Sequence, residues 1–166
     1  DSIRAGAAVV CFSGDKLLGG PPAGIIIGRR DLLDKIRRHP LMRALRVDKL
    51  TYAALEATLL EYLAGRASTT IPAVRMLTMS AEEINVRAQE LARSAHAHGW
   101  QAYVIDGASP IGGGSAPGVA LPTRLVALAR AGQSPVAIDH WLRSATPPIV
   151  SRIEENRVVL DLRTVP

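Results

Sequence analysis

Two short apolar runs, at 7–12 and 24–27, are separated by eleven residues that include three glycines, two prolines and a single lysine, Lys16. Both runs are too short for a stable helix, carry β-branched residues and are bounded by Gly and Pro. They therefore read as strands over 7–13 and 24–28, buried in a sheet and joined by a turn. A chain that opens strand–turn–strand, with a lysine on the turn, is committed to a mixed α/β or all-β architecture. The segments that follow supply helical patterns.

Asp31 is expected to cap a helix to about Arg38, stopped ahead of Pro40. Residues 41–47 form a short helical or turn-rich segment. Asp48 opens a helix to about Ala64 that is expected to be amphipathic, with Leu50, Leu55, Leu59 and Tyr62 among its apolar residues. Residues 65–72 are polar and end in proline, so they form the candidate linker. Ser80 with Glu83 is a capping box for a helix over 81–98, closed by Gly99. Strands follow at 101–106 and 125–129, and Ser134-Pro135 opens a helix to about Ser144. Residues 149–153 and 158–162 form a hairpin across Glu154-Glu155-Asn156-Arg157. The order helix–strand–strand–helix–strand–strand predicts a small sheet covered by helices on one face. Two domains are expected, 1–65 and 66–166.

The 166 residues carry a net charge of +5, which fits a polyanionic partner such as RNA but is more often that of an ordinary basic enzyme. One cysteine, Cys11, excludes an internal disulfide and reads as a buried apolar residue in a cytoplasmic protein. No apolar stretch nears the roughly 20 residues of a membrane span. Residue 1 is Asp, and 1–6 reads as a helix tail with no helix start, so the chain is expected to begin inside a larger domain.

Lys16 is the leading candidate for chemistry. A lysine on a glycine-bounded turn can hold a carbonyl cofactor as a Schiff base, and pyridoxal phosphate is the usual one. Ser13 could bind its phosphate, and Asp15 could orient the lysine or steer protons. Arg43 and Arg46 are three apart, so on a helix both guanidinium groups would share a face and grip one phosphate-sized anion. As bare strings, a surface lysine and a solvated basic face explain these residues better. Gly112-Gly113-Gly114-Ser115 has the look of an anion-binding turn but lacks the Lys-Ser/Thr ending of a nucleotide loop, and tight packing explains it better. His39, His96, His98 and His140 have no partners at ligand spacing, so no metal site is expected.

Five segments in order carry a resemblance across nearly the whole chain: FSGDKLLGGPPAGIIIGRRDLL at 12–33, HPLMRALRVDKLTYAALEATLLEYL at 39–63, IPAVRMLTMS at 71–80, SPIGGGSAP at 109–117 and PPIVSRIEENRVVLDLRTV at 147–165. Together they resemble the bacterial selenocysteine synthases, the L-seryl-tRNA(Sec) selenium transferases. The resemblance implies the C-terminal part of an aminotransferase-like (fold-type I) pyridoxal-phosphate enzyme: the end of its large domain plus a small α/β sandwich domain. It places Lys16 on the cofactor lysine, Asp15 on an active-site acidic position, and Arg43 and Arg46 on arginines that hold the selenium donor, selenophosphate.

The implied reaction converts seryl-tRNA(Sec) to selenocysteinyl-tRNA(Sec) through an aminoacrylyl intermediate on pyridoxal phosphate, in a ring-like cytoplasmic homo-oligomer. Three departures stand out. Pro22 replaces the family's usual glutamine, and the family's upstream region and its final helix are not in this sequence. Two other readings remain open: a related pyridoxal-phosphate lyase acting on a small phosphorylated amino acid or amino-sugar acid, and an inactive assembly or RNA-binding module.

Overall fold

The structure is a computed structural model that describes residues 2–112 and 116–165. It is mixed α/β, with two separate sheets in two compact units, 1–75 and 76–166.

The first unit opens on a turn over residues 2–7. Gly6 N–H donates to Ile3 O and Ala7 N–H to Ser2 O, both at 3.0 Å, with Gly6 at φ +99°. This is the hydrogen-bond pattern that ends a helix on a left-handed glycine. The strands β1 (Val9–Ser13) and β2 (Gly24–Gly28) then pair antiparallel, Val9 opposite Gly28 and Ser13 opposite Gly24. The strands are where the pattern predicts them, but the expected burial is not. Phe12, Ile26 and Ile27 are exposed, because among the described residues the sheet has only these two strands. Cys11 is exposed for the same reason.

Helix α1 (Arg30–Arg38) follows. Its N-cap is Arg29 and not Asp31. Asp31 sits in the first turn, where its carboxylate accepts from the Arg29 guanidinium at 2.8 and 3.1 Å, so salt-bridging outcompetes capping. The helix stops at His39, whose extended backbone (ψ 136°) is what a following proline demands.

The short α2 (Leu41–Ala44) leads to α3 (Lys49–Leu63). Asp48 caps α3 as expected, accepting from Thr51 N–H at 2.8 Å. The expected amphipathicity fails. Apolar residues lie all round α3, none of its residues is buried, and Leu50 and Leu63 are more than four-fifths exposed. The 65–72 segment is not an irregular linker: α4 (Ala67–Thr70) lies within it, and α5 (Pro72–Thr78) begins at its last residue.

The second unit contains α6 (Ala81–Ala97), β3 (Gln101–Pro110), β4 (Ala120–Ala129), α7 (Pro135–Arg143), β5 (Arg152–Glu154) and β6 (Arg157–Asp161). The four strands form one antiparallel sheet in the order β3-β4-β6-β5. α6 lies on β3 and β4, and α7 on β6 and β5. Ile84, Ala88 and Ala92 from α6 meet Val126 and Leu128 from β4, Val158 and Leu160 from β6, and Ile138 and Leu142 from α7.

The local signals hold here. Ser80 and Glu83 form both bonds of the capping box, and Ser134 caps α7 through Ala137 N–H at 3.2 Å. The β5–β6 turn places Glu155 and Asn156 at φ 47° and 60°, the two-residue turn whose twist matches its strands.

Candidate functional site

The lysine turn is built by short backbone bonds. Gly14 N–H donates to Ala23 O at 2.8 Å and Gly20 N–H to Gly14 O at 2.8 Å, closing a loop inside the β1–β2 hairpin. Gly19 N–H donates to Lys16 O at 3.0 Å, a tight turn that puts Gly19 at φ +72°. A Cβ there would lie 2.4 Å from Ile71 Cγ2, and one at Gly14 would lie 2.6 Å from Pro21 O. Glycine is therefore required twice, once for conformation and once for space. Two residues of α3 hold the turn from the side: the Tyr62 hydroxyl donates to Leu18 O at 2.9 Å, and Thr58 packs against Gly20. Burial holds the Tyr62 phenol above its usual range, so this donor keeps its proton.

The rigid turn gathers three side chains. Asp15 accepts from Ser13 Oγ on one carboxylate oxygen and from Lys16 Nζ on the other, the latter at 3.0 Å. The Ser13 hydroxyl and then the Lys16 ammonium hold the Asp15 carboxyl below the usual carboxylate range. The Lys16 side chain is half exposed and the Asp15 side chain 30% exposed. Lys16 is thus not buried. A carboxylate anchors its amine at an open surface.

Arg43 and Arg46 are not brought onto one helical face. Arg43 lies in α2, which ends at Ala44, and Leu45 closes it at φ −93°, ψ 7°. Arg46 lies beyond the helix. Four residues are too few for the i,i+3 geometry to extend across both. Both side chains are exposed, and neither makes an ion pair or hydrogen bond among the described residues.

Of the glycine-rich run, 113–115 lie outside the described residues. No group of His, Cys, Asp and Glu that could hold a metal ion occurs among the described residues. No described helix is long and apolar enough to cross a membrane. A groove of about 490 Å³ runs between α6 and β3, lined by Gln89, Arg93, His96 and Tyr103 with Ala92, Ala102 and Val104.

The second unit does contain a buried charge that sequence reading missed. Arg163 is 4% exposed. Its guanidinium donates to Met76 O (2.9 Å), Met79 O (2.7 Å), Pro122 O (2.6 Å) and Ser109 Oγ (2.9 Å). Ser109 in turn donates to Asp161 at 2.6 Å, and Thr123 donates to the other Asp161 oxygen at 3.1 Å. The one available signal was Asp161 and Arg163 two apart at a strand end. It says nothing of acceptors up to 87 residues away.

Comparison with known proteins places these features in a family. The family model for L-seryl-tRNA selenium transferase matches residues 1–166. The L-seryl-tRNA(Sec) selenium transferases of Geobacter sulfurreducens and Geobacter metallireducens are 48% and 47% identical to the chain over 98% of its length. That of Nitratidesulfovibrio vulgaris is 46% identical, also over 98%. The chain spans 36% of the length of each of these relatives. On a match of this extent, the chain belongs to the L-seryl-tRNA selenium transferase family.

Proposed function

We propose that this chain supplies the cofactor lysine and the donor-binding arginines of a selenium transferase that converts seryl-tRNA(Sec) to selenocysteinyl-tRNA(Sec) using selenophosphate. Residues 1–65 would be the end of the large domain with its connecting helix, and 66–166 the small domain. The setting would be a cytoplasmic homo-oligomer. The observation that carries the reading is the meeting of Ser13, Asp15 and Lys16 on a glycine turn with no slack, in a chain of this family.

These residues fit the attachment point of pyridoxal phosphate: a reachable primary amine, a carboxylate that fixes it and a nearby hydroxyl. When bound, the cofactor supplies an electron sink that stabilises negative charge at the Cα of an attached amino acid. Lys16 Nζ would hold the cofactor, and its amine, when not so engaged, would be the group that takes up the Cα proton. Asp15, ionised throughout the neutral range, keeps that amine on its side of the turn. The single proton of Ser13 is committed to Asp15, so the hydroxyl must rotate before it can donate to a phosphate oxygen. Arg43 and Arg46 would bind donor oxygens in pairs through their planar guanidinium groups.

Borohydride trapping of pyridoxal phosphate on the full-length protein, mapped by peptide mass, tests the lysine. Adduct at Lys16 is expected, and its loss in Lys16→Ala. Arg43→Ala and Arg46→Ala should keep the adduct while raising the KM for selenophosphate at least tenfold. Normal turnover of both variants at low donor concentration would show that the arginines have another role.

A further inference from the structure

The net charge of this chain is confined to one stretch. Residues 29–46 contain seven basic and two acidic residues, which equals the net +5 of the whole chain; the remaining residues carry thirteen charges of each sign. The second unit, 76–166, is balanced with eight of each. Both acidic residues of the stretch are engaged by one neighbour, Asp31 by Arg29 at 2.8 Å and Asp34 by Arg37 at 3.9 Å. Arg30, Lys35 and Arg38 on α1 are exposed and make no ion pair among the described residues. Leu32, Leu33 and Ile36 form the half-buried side of the same helix. The uncompensated cations are thus displayed on a helix that is anchored by its other side.

The position of this helix relative to Lys16 is also informative. The lysine turn closes the hairpin at the Ser13–Gly24 end, and α1 leaves from the opposite, Val9–Gly28 end. The two ends are separated by about 14 Å, four steps of a strand. A small substrate held at Lys16 would not reach the start of α1. A polyanion whose reacting terminus lies at Lys16 would continue past it, and a nucleic-acid backbone carries a charge every few ångströms.

We infer that Arg30, Lys35 and Arg38 on α1, at the end of the hairpin opposite the lysine turn, form a contact surface for the phosphate backbone of the substrate RNA. The inference rests on the function proposed above. Contacts of this kind position the RNA without reading its sequence, and each one releases counterions on binding.

The test measures the affinity of the full-length protein for in-vitro transcribed, uncharged tRNA(Sec) between about 50 and about 200 mM NaCl. The triple variant Arg30→Ala/Lys35→Ala/Arg38→Ala should lower the slope of log K against log salt by about 2 to 3. It should also weaken binding at least tenfold at the low-salt end, while Lys16 still traps pyridoxal phosphate. Arg93→Ala/Arg124→Ala/Arg130→Ala, which removes the same charge from the second unit, should leave the slope unchanged. Arg30→Gln/Arg38→Gln, which keeps side-chain bulk and removes two charges, covers the case in which the alanine variant fails to fold: it should lower the slope by about 2, and an unchanged slope there overturns the surface too.

An unchanged slope in the alanine variant, or an equal drop in the second-unit control, overturns the surface while the function stands. A parent protein that traps no cofactor at Lys16 and binds no tRNA(Sec) overturns both.

Discussion

The two units solve the problem of holding helices in opposite ways. In the second, α6 and α7 press Ile84, Ala88, Ile138 and Leu142 onto Val126, Val158 and Leu160, all at least nine-tenths buried, and polar ends are satisfied locally. In the first, the longest helix, α3, buries no residue; Thr58 and Tyr62 reach the lysine turn, and Glu61 pairs with Arg66 beyond the helix end. The buried residues of that unit are few: Ala23, Ala67 and Ile71 with Gly14. Three of these four lie in the lysine turn or against it. The second unit uses its sequence to make a core. The first uses its sequence to make one turn rigid, and leaves its apolar helix surface and its charge exposed. A reactive group must be reachable and fixed, and the first unit meets both demands at the expense of burial.

The sharpest way to break this contrast is to attack the one buried cation of the self-contained unit. Arg163→Ala strips donors from three backbone carbonyls and from Ser109 at a buried position. The expected loss is about 3–5 kcal/mol, read as a large fall in the denaturant midpoint. Arg163→Lys should recover only part of it, because a compact ammonium cannot span four acceptors in different directions. If the alanine variant unfolds within about 1 kcal/mol of the parent, the network is incidental and the aliphatic core alone holds the unit.

In the first unit the corresponding test is Gly19→Ala. The left-handed backbone and the 2.4 Å approach to Ile71 act together, for an expected cost of about 1–3 kcal/mol. Gly65→Ala is the control: its φ is +69°, with nothing within 4 Å of the added Cβ, so it should show only the conformational share, about 1 kcal/mol. A greater loss of Lys16 trapping in the first variant than in the second would tie cofactor capture to the fit of the turn. Equal losses would reduce both to backbone strain.

What could be read from the sequence divides along physical lines. Caps and turns are decided by neighbours three or four residues away, so Asp48, Ser80, Ser134 and the 154–157 turn were legible. Ser13, Asp15 and Lys16 lie within four residues of one another, so their meeting was legible too. Burial was not, because it depends on what covers a face. Cys11 and Ile26 read as core and are exposed, and α3 read as amphipathic and is apolar all round. The lengths of β3 and β4 were underestimated because Gly107, Pro110 and Pro122 argue against strands. Pro122 is tolerated because β6 pairs only with Leu125–Leu128, so that side of Pro122 has no strand neighbour. The Arg163 network was invisible because its four acceptors come from three distant points of the chain, 76–79, 109 and 122.

The smallest expected effect separates local from tertiary stability at the start of α6. Ser80→Ala removes the acceptor for Glu83 N–H (3.1 Å) and should cost about 1 kcal/mol. The reciprocal bond, from Ser80 N–H to the Glu83 carboxylate at 2.7 Å, holds the Glu83 carboxyl below its ordinary value of 4.5, with the backbone N–H as the largest cause. A carboxyl whose pKa falls on folding stabilises the native state above its unfolded pKa. That contribution is lost as pH falls through the lower, folded value. The melting temperature of Glu83→Ala should therefore lie below that of the parent at pH 7, and the gap should close only at pH values below 4.5. Asp48 caps α3 by the same chemistry, with Thr51 N–H the largest cause of its lowered pKa. α3 lacks the buried stripe that holds α6, so Asp48→Ala should fray its helix more, in hydrogen exchange at residues 49–52, than Ser80→Ala frays α6 at 81–84. Equal fraying would mean that the caps and not the core set the stability of both helix starts.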